Sequence, residues 1–325
     1  MIETIRPNWY RLEIPLPETP LKALNAYLIC SDDRNLLIDT GLNHEACRSA
    51  MRTGLETLGV DMNRTDIFIT HFHADHFSLV PIIATPTSRI FFNRRDAELI
   101  DSWDGINSMV ELCRGHGFPV SQLKKAFEHH PAIRFGTQWV PGAKILADGE
   151  TLTYGDYCLT CIETPGHSLG HLCLYEKTEA ILIAGDHLLI DITPNIQGWS
   201  EAENSLGKYL ESLRKIYPLD VRLVLPGHRR LFSDHRKRID ELLEHHEKRL
   251  EEVKAILAGG PRHAYAAASK MTWDIRAANW EAFPCAQQWF ATGEALSHLQ
   301  YLESLGEARR ETIDGNAVFY LTAHG

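Results

Sequence analysis

No run of apolar residues in this chain is long enough to cross a bilayer, although 44% of its 325 residues are hydrophobic, so no membrane span is expected. The opening residues, MIETIRPNWYRLEIPLPETP, lack the basic start and apolar core of a secretory leader, and the expected compartment is the cytoplasm. Cysteine is sparse and odd in number, seven in all, which in a reducing compartment reads as ordinary buried thiols rather than a disulfide framework. Cys158 and Cys161 form a CxxC, but within YCLTCIE, a strand-like run in which residues three apart point to opposite faces. Basic residues are in deficit, 33 against 43 acidic ones. The resulting charge of −10 excludes a broad electrostatic grip on phosphate backbones and leaves open only a local basic groove.

Histidine is what the chain has in excess, with 17 residues. His129, His130, His245 and His246 fall in polar helical stretches and are expected to be solvated. Short strands are expected at WYRLEIPL, LNAYLIC and NLLIDT as a β-meander, followed by a helix from about Glu45 to Leu58 and a strand from Asp66 to Thr70. Further strands are expected at 90–92, 144–146, 157–163, 171–175 and 180–184, which makes the fold α/β with two sheets. A helix-prone insertion, about 103–141, holds Gly115, Gly117 and Pro119; it reads equally as a lid or as cover for a sheet edge. A long helix over 233–257 stops at Ala258-Gly259-Gly260-Pro261. The expected domains are therefore 1–258 and 259–325. The second holds short helices and a hairpin turning at Asp314-Gly315, an arrangement that resembles a small winged-helix module.

The chemistry concentrates at Thr70-His71-Phe72-His73-Ala74-Asp75-His76, where a strand gives way to a helix. His71 and His73, two apart in extended backbone, project to one side and can grip one ion; the turn into the helix re-aims Asp75 and His76 at a neighbouring position. A catalytic divalent site needs at least three protein ligands per ion, and three further strand ends supply candidates. These are His167 in TPGHSLGH, Asp186 in AGD and His228 in LPGH. The donors are all nitrogen or carboxylate oxygen, a set that suits Zn²⁺ best and also admits Fe or Mn.

The order HxHxDH, TPGH, GD, PGH resembles the metallo-β-lactamase superfamily over roughly residues 9–258. The resemblance implies an αββα sandwich with metals at one edge between two sheets. It implies that His71, His73 and His167 bind a first ion, that Asp75, His76 and His228 bind a second, and that Asp186 bridges both. Asp39 in LIDTG would be supporting or structural, and His171 and His187 would neighbour ligands without being ligands. Function follows as dinuclear metal-dependent hydrolysis through a bridging hydroxide, with Asp75 and Asp186 the expected catalytic carboxylates and Asp75 the proton shuttle.

Departures from the family's branches narrow the substrate. An aspartate at 186 resembles thioesterases, lactonases and phosphodiesterases rather than antibiotic-cleaving members; His73 stands where oxygen-reducing members carry Glu; and Leu189 stands where lactonases carry Tyr. A small-molecule thioester or related acyl ester is the expected substrate. The alternative is an endoribonuclease acting on RNA, since similar enzymes end in a winged helix. The tail has no basic surplus, so its wing reads better as a packing or dimerisation element, and a metal-bearing DNA-binding regulator ranks lower still. Trp103, Trp139, Trp199 and Arg134 are candidate pocket residues, each equally readable as core or surface.

Overall fold

The computed structural model describes residues 1–101, 107–128, 131–135, 142–198 and 203–322. Seven strands form the first sheet in sequence order: β1 (Ile2–Arg6), β2 (Trp9–Leu16), β3 (Lys22–Ile29), β4 (Asn35–Ile38), β5 (Thr65–Phe68), β6 (Ile90–Asn93) and β7 (Lys144–Leu146). The meander β1 to β4 is antiparallel, and β4 through β7 run parallel. Five strands form the second: β8 (Thr151–Tyr154), β9 (Tyr157–Glu163), β10 (Leu172–Glu176), β11 (Ile181–Gly185) and β12 (Leu223–Pro226), in the order β12-β11-β10-β9-β8. A separate hairpin pairs β13 (Ala308–Ile313) with β14 (Asn316–Leu321) around Asp314-Gly315. The α/β class and two-sheet reading hold, with β1 and β8 added to the expected strands.

Helices fill the connections: α1 (Glu45–Thr57), α2 (Ala74–Phe77), α3 (Val80–Ile83), α4 (Arg94–Asp101), α5 (Asn107–Gly115), α6 (Val120–Glu128), α7 (Pro131–Phe135), α8 (Ser205–Ile216), α9 (His235–Ala258), α10 (Ala264–Ala268) and α11 (Cys285–Ser304). By their contacts the residues divide into two compact units. The first comprises Met1–Trp103, Arg134–Pro194 and Ser212–Ile239; the second comprises Asp104–Ile133, Asn195–Glu211 and Asp240–Gly325.

The alternation of strand side chains builds the first unit's core. Leu36 and Ile38 of β4 and Phe68 of β5 face an apolar layer completed by Leu159, Leu172, Leu174, Ile181 and Ile183 of the second sheet, so the two sheets pack face to face. The intervening Leu37 joins Leu12, Ile14 and Leu28 on the opposite face, under Cys47, Met51 and Leu55 of α1. Ile67 and Ile69 likewise turn outward, against Phe77, Val80 and Ala97. Burial on both faces explains why these strands read as continuous apolar runs. Each such side chain contributes about 1.5–3 kcal/mol when fully buried.

Both strands that were expected to reach Thr40 and Thr70 stop early, at Ile38 and Phe68. Asp39 adopts φ +58°, which breaks the extended backbone, and the N–H of Thr70 turns to the Asp39 carboxylate at 2.9 Å. Cys158 is exposed and Cys161 buried, as residues on opposite strand faces should be.

In the second unit Val253 and Leu257 of α9, Ala264, Ala267 and Ala268 of α10, Leu296, Leu299 and Leu302 of α11, and Phe319 of β14 form one core. Cys113, Phe118, Leu123, Phe127 and Trp289 form another. His246 corrects the expectation of a solvated residue: it is buried, with Nδ1 3.2 Å from Nε2 of buried His298. It lies on the inward stripe of α9, which the polar composition of that helix concealed. His129, His130, Trp103, Trp139 and Trp199 lie outside the described residues.

Candidate metal centre

Four chain segments of the first unit converge at the ends of their strands. After β5 the chain bends at residues 70–72 and reaches His73, which occupies the N-cap of α2 in extended conformation with φ −64° and ψ 141°. His71 and His73 therefore precede the helix, while Asp75 and His76 belong to its first turn. His167 sits in the loop between β9 and β10, Asp186 directly follows β11, and His228 follows β12.

These side chains meet in three overlapping groups whose donor atoms lie within 4.8 Å of one another: His71, His73 and His167; His71, His76 and Asp186; and Asp75, His76 and His228. Nε2 of His71 is 3.0 Å from Nδ1 of His73. Oδ2 of Asp186 lies 3.6 Å from Nε2 of both His76 and His167 and 3.3 Å from Nε2 of His228. Oδ2 of Asp75 is 3.3 Å from Nε2 of His228. Asp186 thus stands between the trio containing His167 and the trio containing His228.

A surrounding set of hydrogen bonds aims the imidazoles. Nδ1 of His76 donates to Oδ2 of Asp39 at 2.7 Å, and Nδ1 of His228 donates to the Ala23 carbonyl at 2.8 Å, which leaves Nε2 of each ring facing the centre. The Thr70 hydroxyl spends its one proton on Oδ2 of Asp39 at 2.9 Å. It can therefore only accept from Nδ1 of His71, 3.0 Å away, and this network assigns a lone pair to Nε2 of His71. Strand β3 holds the His228 loop: the Asn25 amide donates to the carbonyls of Pro226 and Arg229, and the Tyr27 hydroxyl donates to Pro226. His171 accepts from the backbone N–H of Asp186 at 3.2 Å, so it supports that residue.

Electrostatically the site has two halves. Burial, reinforced by His167, pushes His73 down to about 3, and burial with His76 and His73 pushes His71 well down, so both rings are neutral donors. Burial opposes charge at His228 too, but Asp186 and Asp75 outweigh it and push the ring up to about 10. Asp39, Asp186 and Asp75 raise His76 in the same way, and Asp186 is held well below the usual carboxylate range, burial notwithstanding, by His228 and His76.

The residues fit a cation. Nε2 of His76, Nε2 of His228 and Oδ1 of Asp186 are buried without a hydrogen-bond partner among the described residues. Coordination would give each of these atoms a directed partner.

A sequence profile of the metallo-β-lactamase superfamily matches residues 20–87 and 156–228, the segments that carry all seven of these side chains. The chain contains a metallo-β-lactamase superfamily domain. Such a domain is a hydrolase fold that implies divalent metal ions. The likeness extends along the whole chain in one solved structure, a metallo-β-lactamase family protein from Thermus thermophilus. It shares 28% identity, covers 98% of this chain and 100% of its own, and superposes with a TM-score of 0.82. Among sequences, the lactamase-like protein aptB of Emericella nidulans is 26% identical over 73% of this chain, and the match spans 61% of that protein's length. An atrochrysone carboxyl ACP thioesterase of Aspergillus fumigatus is 23% identical over 73% of this chain and 60% of its own.

Arg134, which lies between the two matched segments, pairs with Glu18 at 2.6 Å and stacks over Phe135, so its charge is already engaged. The residues not singled out from sequence are Thr70, Asn25, Tyr27 and above all Asp96 in α4. Burial pushes the Asp96 carboxyl up to about 6, against the pull of three hydrogen-bond donors. Thr70 was legible as a neighbour of the motif. Asp96 carried no local signal, being one acid in the charged helix RRDAELID.

Among the described residues no helix is long and apolar enough to cross a membrane.

Proposed function

We propose that His71, His73, Asp75, His76, His167, Asp186 and His228 hold two divalent metal ions, zinc being the best match to the donor set, and that the protein hydrolyses an acyl ester, foremost a thioester. The observation that carries this reading is the position of Asp186, whose Oδ2 lies 3.3–3.6 Å from imidazole nitrogens of both trios. When bound, divalent ions supply a water of lowered pKa and draw electrons from the bond under attack.

The chain's own residues do the rest. His71 and His73 present neutral rings, and His76 and His228 surrender a proton on loading, so uptake of metal releases acid. Asp75 has the more open carboxylate, its side chain 17% exposed against 8% for Asp186, which suits it to accept a proton and pass it to a departing thiol or alcohol. Asp186, buried and charged, holds the centre together.

The thioester preference is supported by the relative named as a thioesterase and by the aspartate at position 186. To test it, the purified protein is assayed for metal content and for cleavage of an acyl thioester, an acyl lactone, an aryl phosphodiester and single-stranded RNA. We expect two ions per chain and thioester cleavage that His71→Ala and Asp186→Asn abolish. Fewer than two ions at saturation, with both variants still active, would sink the metal reading; faster cleavage of RNA or the phosphodiester would sink the substrate class.

A further inference from the structure

Asp96 lies outside both segments matched by the superfamily profile, yet its side chain connects two of the histidine loops. The carboxylate is fully buried in the first turn of α4, where the helix N-terminus favours negative charge. Oδ2 accepts from the backbone N–H of Phe72 at 3.0 Å and from the Ser168 hydroxyl at 2.8 Å, and Oδ1 accepts from the N–H of Gly170 at 2.7 Å. Phe72 is the residue between His71 and His73, and Ser168 directly follows His167. A Cβ on Gly170 would stand 2.6 Å from both Cγ and Oδ1 of Asp96 and 2.7 Å from its backbone nitrogen, so this loop packs as closely on the carboxyl as a glycine allows.

We infer that Asp96 is a positioning residue that clamps the His71–His73 loop to the His167 loop and thereby assembles the trio His71, His73 and His167. The inference rests on the metal-binding reading proposed above and extends it. The three donors come from two loops separated by more than ninety residues of sequence, and the Asp96 carboxylate, with two acceptor oxygens, bonds to both. No comparable link from Asp96 reaches Asp75, His76 or His228 among the described contacts, so its effect falls on one trio. An asparagine in its place keeps the volume but turns an NH₂ toward donors, leaving at least one of them unpaired.

The test is uptake of Zn²⁺ by the metal-depleted full chain, followed in competition with a chromogenic chelator. His167→Ala and His228→Ala mark which binding step belongs to which trio. Asp96→Asn is expected to weaken the step lost in His167→Ala by 10- to 100-fold, the usual cost of removing a group that orients ligands, and to leave the step lost in His228→Ala within about threefold of wild type. Ser168→Ala, which leaves Asp96 and two of its bonds in place, is expected to weaken the same step by a smaller factor. Circular dichroism of the metal-free proteins monitors folding; if Asp96→Asn does not fold, Ser168→Ala decides, and wild-type uptake in that variant overturns the clamp. Unchanged uptake in a folded Asp96→Asn, or equal weakening of both steps, overturns it as well. If the wild-type chain itself takes up fewer than two ions, the underlying metal reading has failed instead.

Discussion

The carboxylate of Asp39 accepts a hydrogen bond from Nδ1 of His76 at 2.7 Å, from a backbone position with φ +58° that strand β4 cannot continue through. The same carboxylate takes the N–H and hydroxyl of Thr70, both at 2.9 Å, so one strand end fixes the start of the HxHxDH segment and its last ring together.

Asp39→Asn separates charge from backbone shape, because asparagine tolerates the left-handed region. The variant should fold, and its metal affinity and kcat/KM should each fall by about 10- to 100-fold. Paired measurements of metal content and steady-state kinetics check this; wild-type values for both would remove Asp39 from the site's support.

Gly227 is a matter of space. A Cβ there would stand 2.4 Å from Oδ1 of Asp186 and 2.9 Å from Cε1 of His76. Gly227→Ala should therefore displace Asp186 and lower Zn²⁺ affinity by about tenfold or more. Isothermal titration on the folded variant reads the change directly, and an affinity within twofold of wild type would contradict the crowding.

Asp66 controls acid stability away from the metal centre. Its fully buried carboxylate accepts from Arg34 at 2.6 Å, Arg89 at 2.5 Å and Tyr154 at 2.7 Å. Burial alone would raise its pKa, but Arg34, Arg89 and Tyr154 together hold it well below the ordinary range. A depressed carboxyl contributes stability that is complete above its unfolded pKa, about 3.9, and is lost as pH falls from there toward the folded value. The melting-temperature gap between wild type and Asp66→Asn should thus be widest near pH 6 and shrink below pH 4. A gap constant from pH 6 to pH 3 would argue against this ion cluster.

Phe319 tests the second unit. It is fully buried on β14 against Leu299, Leu302 and Ala308. Phe319→Ala should cost about 3–5 kcal/mol in urea unfolding of that unit. A loss below about 1 kcal/mol would mean that the hairpin contributes little to this core.

Much of this was legible in the chain itself. Strand alternation, the glycine stop after α9 and the Asp314-Gly315 turn are local effects of backbone sterics and side-chain period, and they led to the two sheets and the hairpin. The donor residues also announced themselves, because HxHxDH places three imidazoles and a carboxylate within six positions and the other three candidates each follow an apolar strand. His246 misled for the complementary reason: a helix with charged residues all round does not reveal which stripe its neighbours cover.

What only tertiary structure decided is how those local pieces address one another. The approach of Asp186 to rings on three other segments, the choice of Asp39 and the Ala23 carbonyl as partners for His76 and His228, and the reach of Asp96 across two loops all join residues tens to hundreds of positions apart. Local sequence sets which way a side chain leaves its own strand or helix. The packing of two sheets, a property of the whole core, sets what it meets.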